Sequence, residues 1–183
     1  MTPDSGDRAA ALLATLGSRG PAVVARAPGR ANLLGEHTDY NGLPVLPFAV
    51  ERDVLVAGCA ATDGEIAIAS TDARYPPRRY RAASRIAPFP AGDWGNYAKA
   101  STQALLDAGV TLPPGGLALR VHGAIPVAAG VSSSSALVVG LALAQLALAG
   151  DRRLNHAIVV QAGVEADLAH TLLQDFFKAR RVS

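Results

Sequence analysis

Cysteine, charge and long apolar runs are all scarce in this 183-residue chain, and each scarcity closes off a class of protein. The single cysteine, Cys59, excludes an intramolecular disulfide framework and is in keeping with a reducing cytoplasm, the localisation expected here. Charged residues make up only 17% of the chain and leave a formal net charge of +2, with basic residues scattered apart from short clusters at Arg78 to Arg81 and near the C-terminus. Such a distribution makes neither a nucleic acid nor a membrane surface an expected partner. The longest apolar run, Ala136 to Ala149, is interrupted by Gln145 and falls short of the roughly 20 residues of a membrane span, so it reads as a buried helix. The N-terminus, with Asp4, Asp7 and Arg8 ahead of a short apolar patch, lacks the charge and cleavage pattern of a signal peptide.

What is present is enough for a core. Half of the residues are hydrophobic, and the length suits one domain. Periodicity predicts a short helix over Asp7 to Leu16, ended by Gly17, and then a strand over Ala22 to Ala27 that Pro28-Gly29 breaks. Three short runs, Val45 to Val50, Val54 to Ala60 and Glu65 to Ser70, predict an antiparallel set of strands. Tyr75 to Pro90 reads as an irregular surface connection, Gly95 to Ala108 as a helix closed by Gly109, and Leu117 to Val121 as one more half-buried strand. A further helical stretch runs from Leu154 to about Phe177. Strands and helices mix without regular βαβ alternation, which argues for an α+β fold. No internal repeat is visible.

Two stretches carry chemistry. Gly123 to Ala149 is a Gly/Pro-punctuated loop, four serines and an apolar helix. Ser132 to Ser135 are suited to cap that helix, and Gly130 frees the backbone just before it. Unpaired N–H groups and the positive end of the helix dipole then suit a phosphate chain, although an ordinary capped core helix has the same residues. The second stretch, Gly29 to Gly42, packs Arg, Glu, His, Asp, Tyr and two Asn into one short segment. Glu36, His37 and Asp39 offer carboxylates and an imidazole that suit a ligand with several hydroxyls. Tyr40 and Asn41 serve either the ligand or the loop's shape, and Asn32 is expected to fix the turn. Arg30, always charged, suits charge developing on a transferred phosphoryl group, the lowering of a carboxylate pKa, or a plain surface ion pair.

Pro28-Gly29-Arg30-x-Asn32-Leu33-x-Gly35-Glu36-His37-Thr38-Asp39-Tyr40-Asn41-Gly42 resembles the signature of the galactokinases. Pro126-x-Ala128-Ala129-Gly130-Val131-Ser132-Ser133-Ser134-Ser135-Ala136 resembles the phosphate loop of the wider GHMP small-molecule kinases, and Asp93-Trp94-Gly95-Asn96-Tyr97 resembles a helix start found in galactokinases. The three motifs fall in the family's order. The resemblance implies an N-terminal domain like domain 2 of ribosomal protein S5 over residues 21–183, preceded by a helical extension over 1–20, with the signature at 28–42 and the phosphate loop at 123–136. It implies an ATP- and Mg2+-dependent kinase acting on the anomeric hydroxyl of a sugar, galactose first, in the cytoplasm. Another GHMP sugar kinase, or a galactokinase-like sensor of sugar and ATP without catalysis, are the alternatives. By resemblance Arg30 is catalytic, and Glu36, His37, Asp39 and Tyr40 bind sugar. Gly130, Val131, Ser132, Ser133, Ser134 and Ser135 hold the nucleotide, with Trp94 and Asn96 either lining its pocket or anchoring the helix. Ser134 and Glu165 are the implied magnesium ligands.

The chain departs from the pattern in three places. Ala128 replaces a common Gly, and Val131 a Leu or Met; neither is large enough to close the loop. After Glu165 the family's Gly-x-x-Cys-Gly-x-x-Asp-Gln segment, whose Asp is its general base or electrostatic partner, is replaced by Ala166 to Phe177. Asp175 lies in the neighbourhood in unmatched surroundings. The expectation is therefore an N-terminal portion without the C-terminal domain, ending in an arbitrary or frame-shifted Lys178 to Ser183. Alone, it should be prone to aggregate, bind ATP and sugar weakly if at all, and lack measurable galactokinase activity.

Overall fold

The computed structural model describes residues 5–18, 20–34, 45–126 and 130–150. In chain order these form α1 (Ser5–Ala14), β1 (Ala22–Leu34), β2 (Leu46–Ala60), β3 (Glu65–Ser70), β4 (Arg78–Tyr80), α2 (Gly95–Asp107), β5 (Gly116–Gly123) and α3 (Ser133–Leu148). One five-stranded sheet has the order β1-β2-β5-β3-β4. The fold is the α+β arrangement expected. Period-two alternation along β2 sends Val54 and Val56 to one face, where α2 and α3 pack, and Leu55 and Ala57 to the other, where Leu12 of α1 covers them.

Several sequence expectations change. Pro28-Gly29 does not end the first strand, because Pro28 sits on an edge strand at a register shift between Pro28 and Arg30, where a missing donor is tolerated. The Val45 to Val50 run, from Leu46 on, and Val54 to Ala60 fall in one strand, β2, and Asn32 belongs to β1 and not to a turn. The Tyr75 to Pro90 connection contains β4. The sheet is also not wholly antiparallel, since β3 pairs in parallel with β5, Ser70 opposite Val121. The segment between them carries β4 and α2, long enough for the crossover that a parallel pair needs.

Gln145, the interruption in the apolar run, is fully buried and ties three elements together. Its Oε1 accepts from Thr102 Oγ1 at 2.7 Å, and its Nε2 donates to Ser101 Oγ at 3.2 Å. Thr102, its one proton so engaged, accepts at 2.8 Å from the Tyr80 hydroxyl. Burial pushes that phenol up to about 12. A polar group at the helix core is thereby satisfied across α2, α3 and β4.

Candidate functional site

The parallel pairing of β3 and β5 brings their C-terminal ends together, and the site forms there. β5 leads through Ala124, Ile125 and Pro126 toward the loop before α3, while β3 leads into the turn at Thr71 to Tyr75. The Ala124 N–H is held by the Asp53 carbonyl at 2.9 Å. Asp53 itself has no exposed surface, and its carboxylate accepts from Arg8 at 2.7 and 3.1 Å and from Arg26 at 2.5 Å. Burial raises its pKa, but these hydrogen bonds and charges outweigh that and hold it below the ordinary carboxylate value. One buried residue thus joins α1, β1 and the strand end that launches the loop.

At the loop, Gly130 has φ 69, the left-handed region where glycine carries no side-chain penalty. The Val131 carbonyl accepts the Arg30 N–H at 3.1 Å, and Arg30 Nη2 donates to Ser132 Oγ at 3.3 Å. Gly29 permits this approach, since a Cβ there would stand 2.9 Å from the Val131 oxygen and 2.8 Å from Val50 Cγ2. The two chemistry-bearing stretches therefore meet through Arg30 and Ser132. Among the described residues the N–H groups of Ser133, Ser134 and Ser135 have no partner, as the first turn of a helix dictates, and no serine side chain caps them.

Ser133 and Ser134 line a cavity of about 530 Å³ together with Tyr75, Trp94 and Tyr97. Trp94 is 8% exposed, its Nε1 donating to the Pro76 carbonyl at 2.8 Å, and its ring lies 5.9 Å from that of Tyr75. Tyr97 is exposed at the rim. Asn96 is not on the cavity wall: its Oδ1 accepts from the Phe89 N–H at 2.8 Å and its Nδ2 donates to the Phe89 and Pro90 carbonyls, so it anchors the connection to α2. Ser135 is exposed on the first turn of α3, beside the cavity.

Asp72 and Arg74 also line the cavity, and sequence reasoning did not select them. Arg74 pairs with Asp72 at 2.6 Å and lies 5.8 Å from the Tyr75 ring centre. The Arg74 hydrogen bond lowers the Asp72 pKa. Their signal was the Ser70-Thr71-Asp72 turn, where Asp72 accepts the Arg74 N–H at 3.0 Å, but only the parallel strand pairing brings that turn to the loop. Glu36, His37, Asp39, Tyr40, Asn41, Glu165 and Asp175 lie outside the described residues.

Aromatic walls, serine hydroxyls and unpaired N–H groups at a helix start, with an arginine beside them, fit a phosphorylated ligand carrying a planar base. The comparisons with known proteins define the class. Residues 96–173 match the profile of the GHMP kinases N terminal domain, and the Methanococcus jannaschii mevalonate kinase has the same fold, at TM-score 0.61 and 21% identity over 71% of this chain and 41% of that one. The chain carries the N-terminal domain of a GHMP kinase.

Within that class it belongs to the galactokinases, over their N-terminal part. Residues 13–60 match the galactokinase galactose-binding signature. The Streptomyces coelicolor galactokinase is 40% identical over 124 residues, 68% of this chain and 31% of that protein. The Candida parapsilosis galactokinase is 34% identical over 149 residues, 78% of this chain and 29% of that protein. The structure of Lactococcus lactis galactokinase complexed with galactose superposes at TM-score 0.68 and 26% identity, over 78% of this chain and 37% of that one. The chain thus spans about a third of the length of the curated relatives it matches.

Proposed function

We propose that the chain forms the sugar- and nucleotide-binding part of a galactokinase-type kinase, transferring the γ-phosphate of ATP to the anomeric hydroxyl of galactose. The observation that carries this reading is the 3.3 Å hydrogen bond from Arg30 to Ser132, which joins the signature segment to the phosphate loop across 102 residues of sequence. Phosphoryl transfer asks a protein for positioning and electrostatic stabilisation, and the reacting groups must sit within about 3 to 3.5 Å. Arg30, held at the loop, answers the charge that develops on the transferred group. Glu36, His37, Asp39 and Tyr40 bind the sugar. The backbone of Gly130 to Ser135 holds the phosphates, and Trp94, with Tyr75 and Tyr97, faces the base, while Asn96 supports that wall from behind.

Ser134 and Glu165 hold the Mg2+, which supplies charge neutralisation across the terminal phosphates when bound. A hard cation that keeps water and phosphate ligands needs few protein groups, and the Ser134 hydroxyl at the cavity wall fits that role. Residues 21–183 act as the N-terminal kinase domain and 1–20 as its extension, in a cytoplasmic setting. Among the described residues no helix is long and apolar enough to cross a membrane.

Thermal-shift titration of the 183-residue chain tests the reading. Galactose and MgATP each raise the melting temperature, glucose raises it less than galactose, Glu36→Ala removes the galactose response and Ser134→Ala weakens the MgATP response. Galactose and MgATP responses that Glu36→Ala and Ser134→Ala leave unchanged overturn the proposal. Galactose-dependent ADP formation, with Arg30→Ala as control, is expected below detection for these residues alone. Turnover of about 1 to 100 s⁻¹, lost in that control, would show that Asp175 or another acid serves as base.

A further inference from the structure

Ser132 breaks a local rule at the start of α3. It is the one non-glycine residue with positive φ among the described residues, at φ 59 and ψ 40. That conformation crowds the Cβ of an L-residue against the following carbonyl oxygen and is ordinarily left to glycine. A serine at a helix start usually adopts extended backbone and lends its oxygen to an N–H of the first turn. Ser132 does neither, since its side chain makes no capping bond. Its hydroxyl oxygen accepts from Arg30 Nη2 at 3.3 Å, while the Arg30 N–H is bound to the Val131 carbonyl next door. Arg30 is exposed, and among the described residues this hydroxyl is the contact at the far end of its side chain.

We infer that Ser132 is a positioning residue for Arg30: the strained backbone at 132 turns the hydroxyl away from the helix and onto the guanidinium, which is held beside the phosphate loop before any ligand arrives. Glycine would relieve the backbone and lose the hydroxyl, so the two roles separate in a single substitution. The inference rests on the phosphate-loop reading for its purpose, though not for its test.

A double-mutant cycle on the 183-residue chain decides it, using Arg30→Ala, Ser132→Ala, Ser132→Gly and the Arg30→Ala/Ser132→Ala pair. Without ligand, Ser132→Gly keeps or raises the melting temperature, and the double variant melts higher than the sum of the two single shifts requires, because one interaction is counted twice. With MgATP, Ser132→Gly lowers affinity about 5- to 10-fold despite unchanged or higher stability. Adding Ser132→Ala to Arg30→Ala lowers affinity no further. A Ser132→Gly melting temperature several degrees below wild type would show that the hydroxyl caps the helix, and strictly additive shifts would show that it does not touch Arg30; either overturns the inference. Multiplying losses of affinity in the double variant would overturn it too, by showing that Ser132 acts on the phosphates directly. Absence of MgATP binding in wild type refutes the functional reading and leaves the ligand-free cycle to decide the Ser132 role.

Discussion

The β1–β2 pair has two halves that look alike in sequence and behave oppositely. From Asp53 to Cys59 every residue of β2 is buried, with α3 on one face and α1 on the other. From Leu46 to Arg52 the same strand is open, and Leu33, Leu34, Leu46 and Phe48 are exposed at 41, 53, 46 and 49%. In the buried half the one charge of β2, Asp53, has two arginine partners. In the open half a buried oxygen, Asn32 Oδ1, has no partner among the described residues. The division falls where β5 stops pairing: its ladder covers Val54 to Ala60 and goes no further. Stability is concentrated where β2 has a strand on both sides and layers above and below, and the segment that bears Arg30 is extended from that platform.

If so, substitutions in the two halves should differ in scale. Leu55→Ala, at 1% exposure, removes a core side chain and should destabilise by about 2 to 5 kcal/mol, read as a lower urea midpoint with unchanged slope. Asp53→Ala removes the buried carboxylate that Arg8 and Arg26 both bond and should cost about 3 kcal/mol, the low end for a broken buried pair, because Arg26 is half exposed. Since the folded pKa of Asp53 lies below its ordinary 3.8, its stabilisation is full above about pH 4 and is lost as pH falls through the folded value. Asp53→Asn should flatten the acid limb of the stability curve in that window.

Gly29→Ala sits at the junction of the halves. Its methyl would press on Val50 Cγ2, the Val131 oxygen and Ile125 Cδ1 at 2.8, 2.9 and 3.1 Å, an overpacking expected to cost about 1 to 3 kcal/mol. It should also weaken MgATP binding by displacing the loop, and equal MgATP affinity in the variant would show that the loop is not seated on β1. The smallest effect belongs to Phe48→Ser in the open half, within about 0.5 kcal/mol of wild type, with less self-association in sedimentation velocity. A large loss of stability there would mean that Phe48 is covered in solution and that the two halves are not distinct.

Much of the fold was legible before the structure. Glu65 to Ser70 alternates and is β3; Gly17 and Gly109, at φ 61 and 76, follow helix ends as glycine does. Arg30 and the serines were selected by residue type and by motif resemblance, and the structure brings Arg30 onto Ser132. The Arg74–Asp72 pair was not legible, because nothing local distinguishes a turn on the surface from a turn beside a cavity. Nor was the continuity of β1 through Pro28, which depends on β1 being an edge strand.

The sequence by itself determined the local identities: where most of the helices and strands lie, and which stretches carry charged and hydroxyl groups dense enough to bind a ligand. These follow from side-chain period, turn residues and functional groups, all encoded within a few positions. Only the tertiary structure decided that β3 runs parallel to β5, that Ser132 faces Arg30 and leaves its own helix uncapped, and that Gln145 is satisfied inside the core. Each of these depends on partners tens of residues away, and hydrogen bonds and close approaches of that kind are fixed by packing and not by propensity.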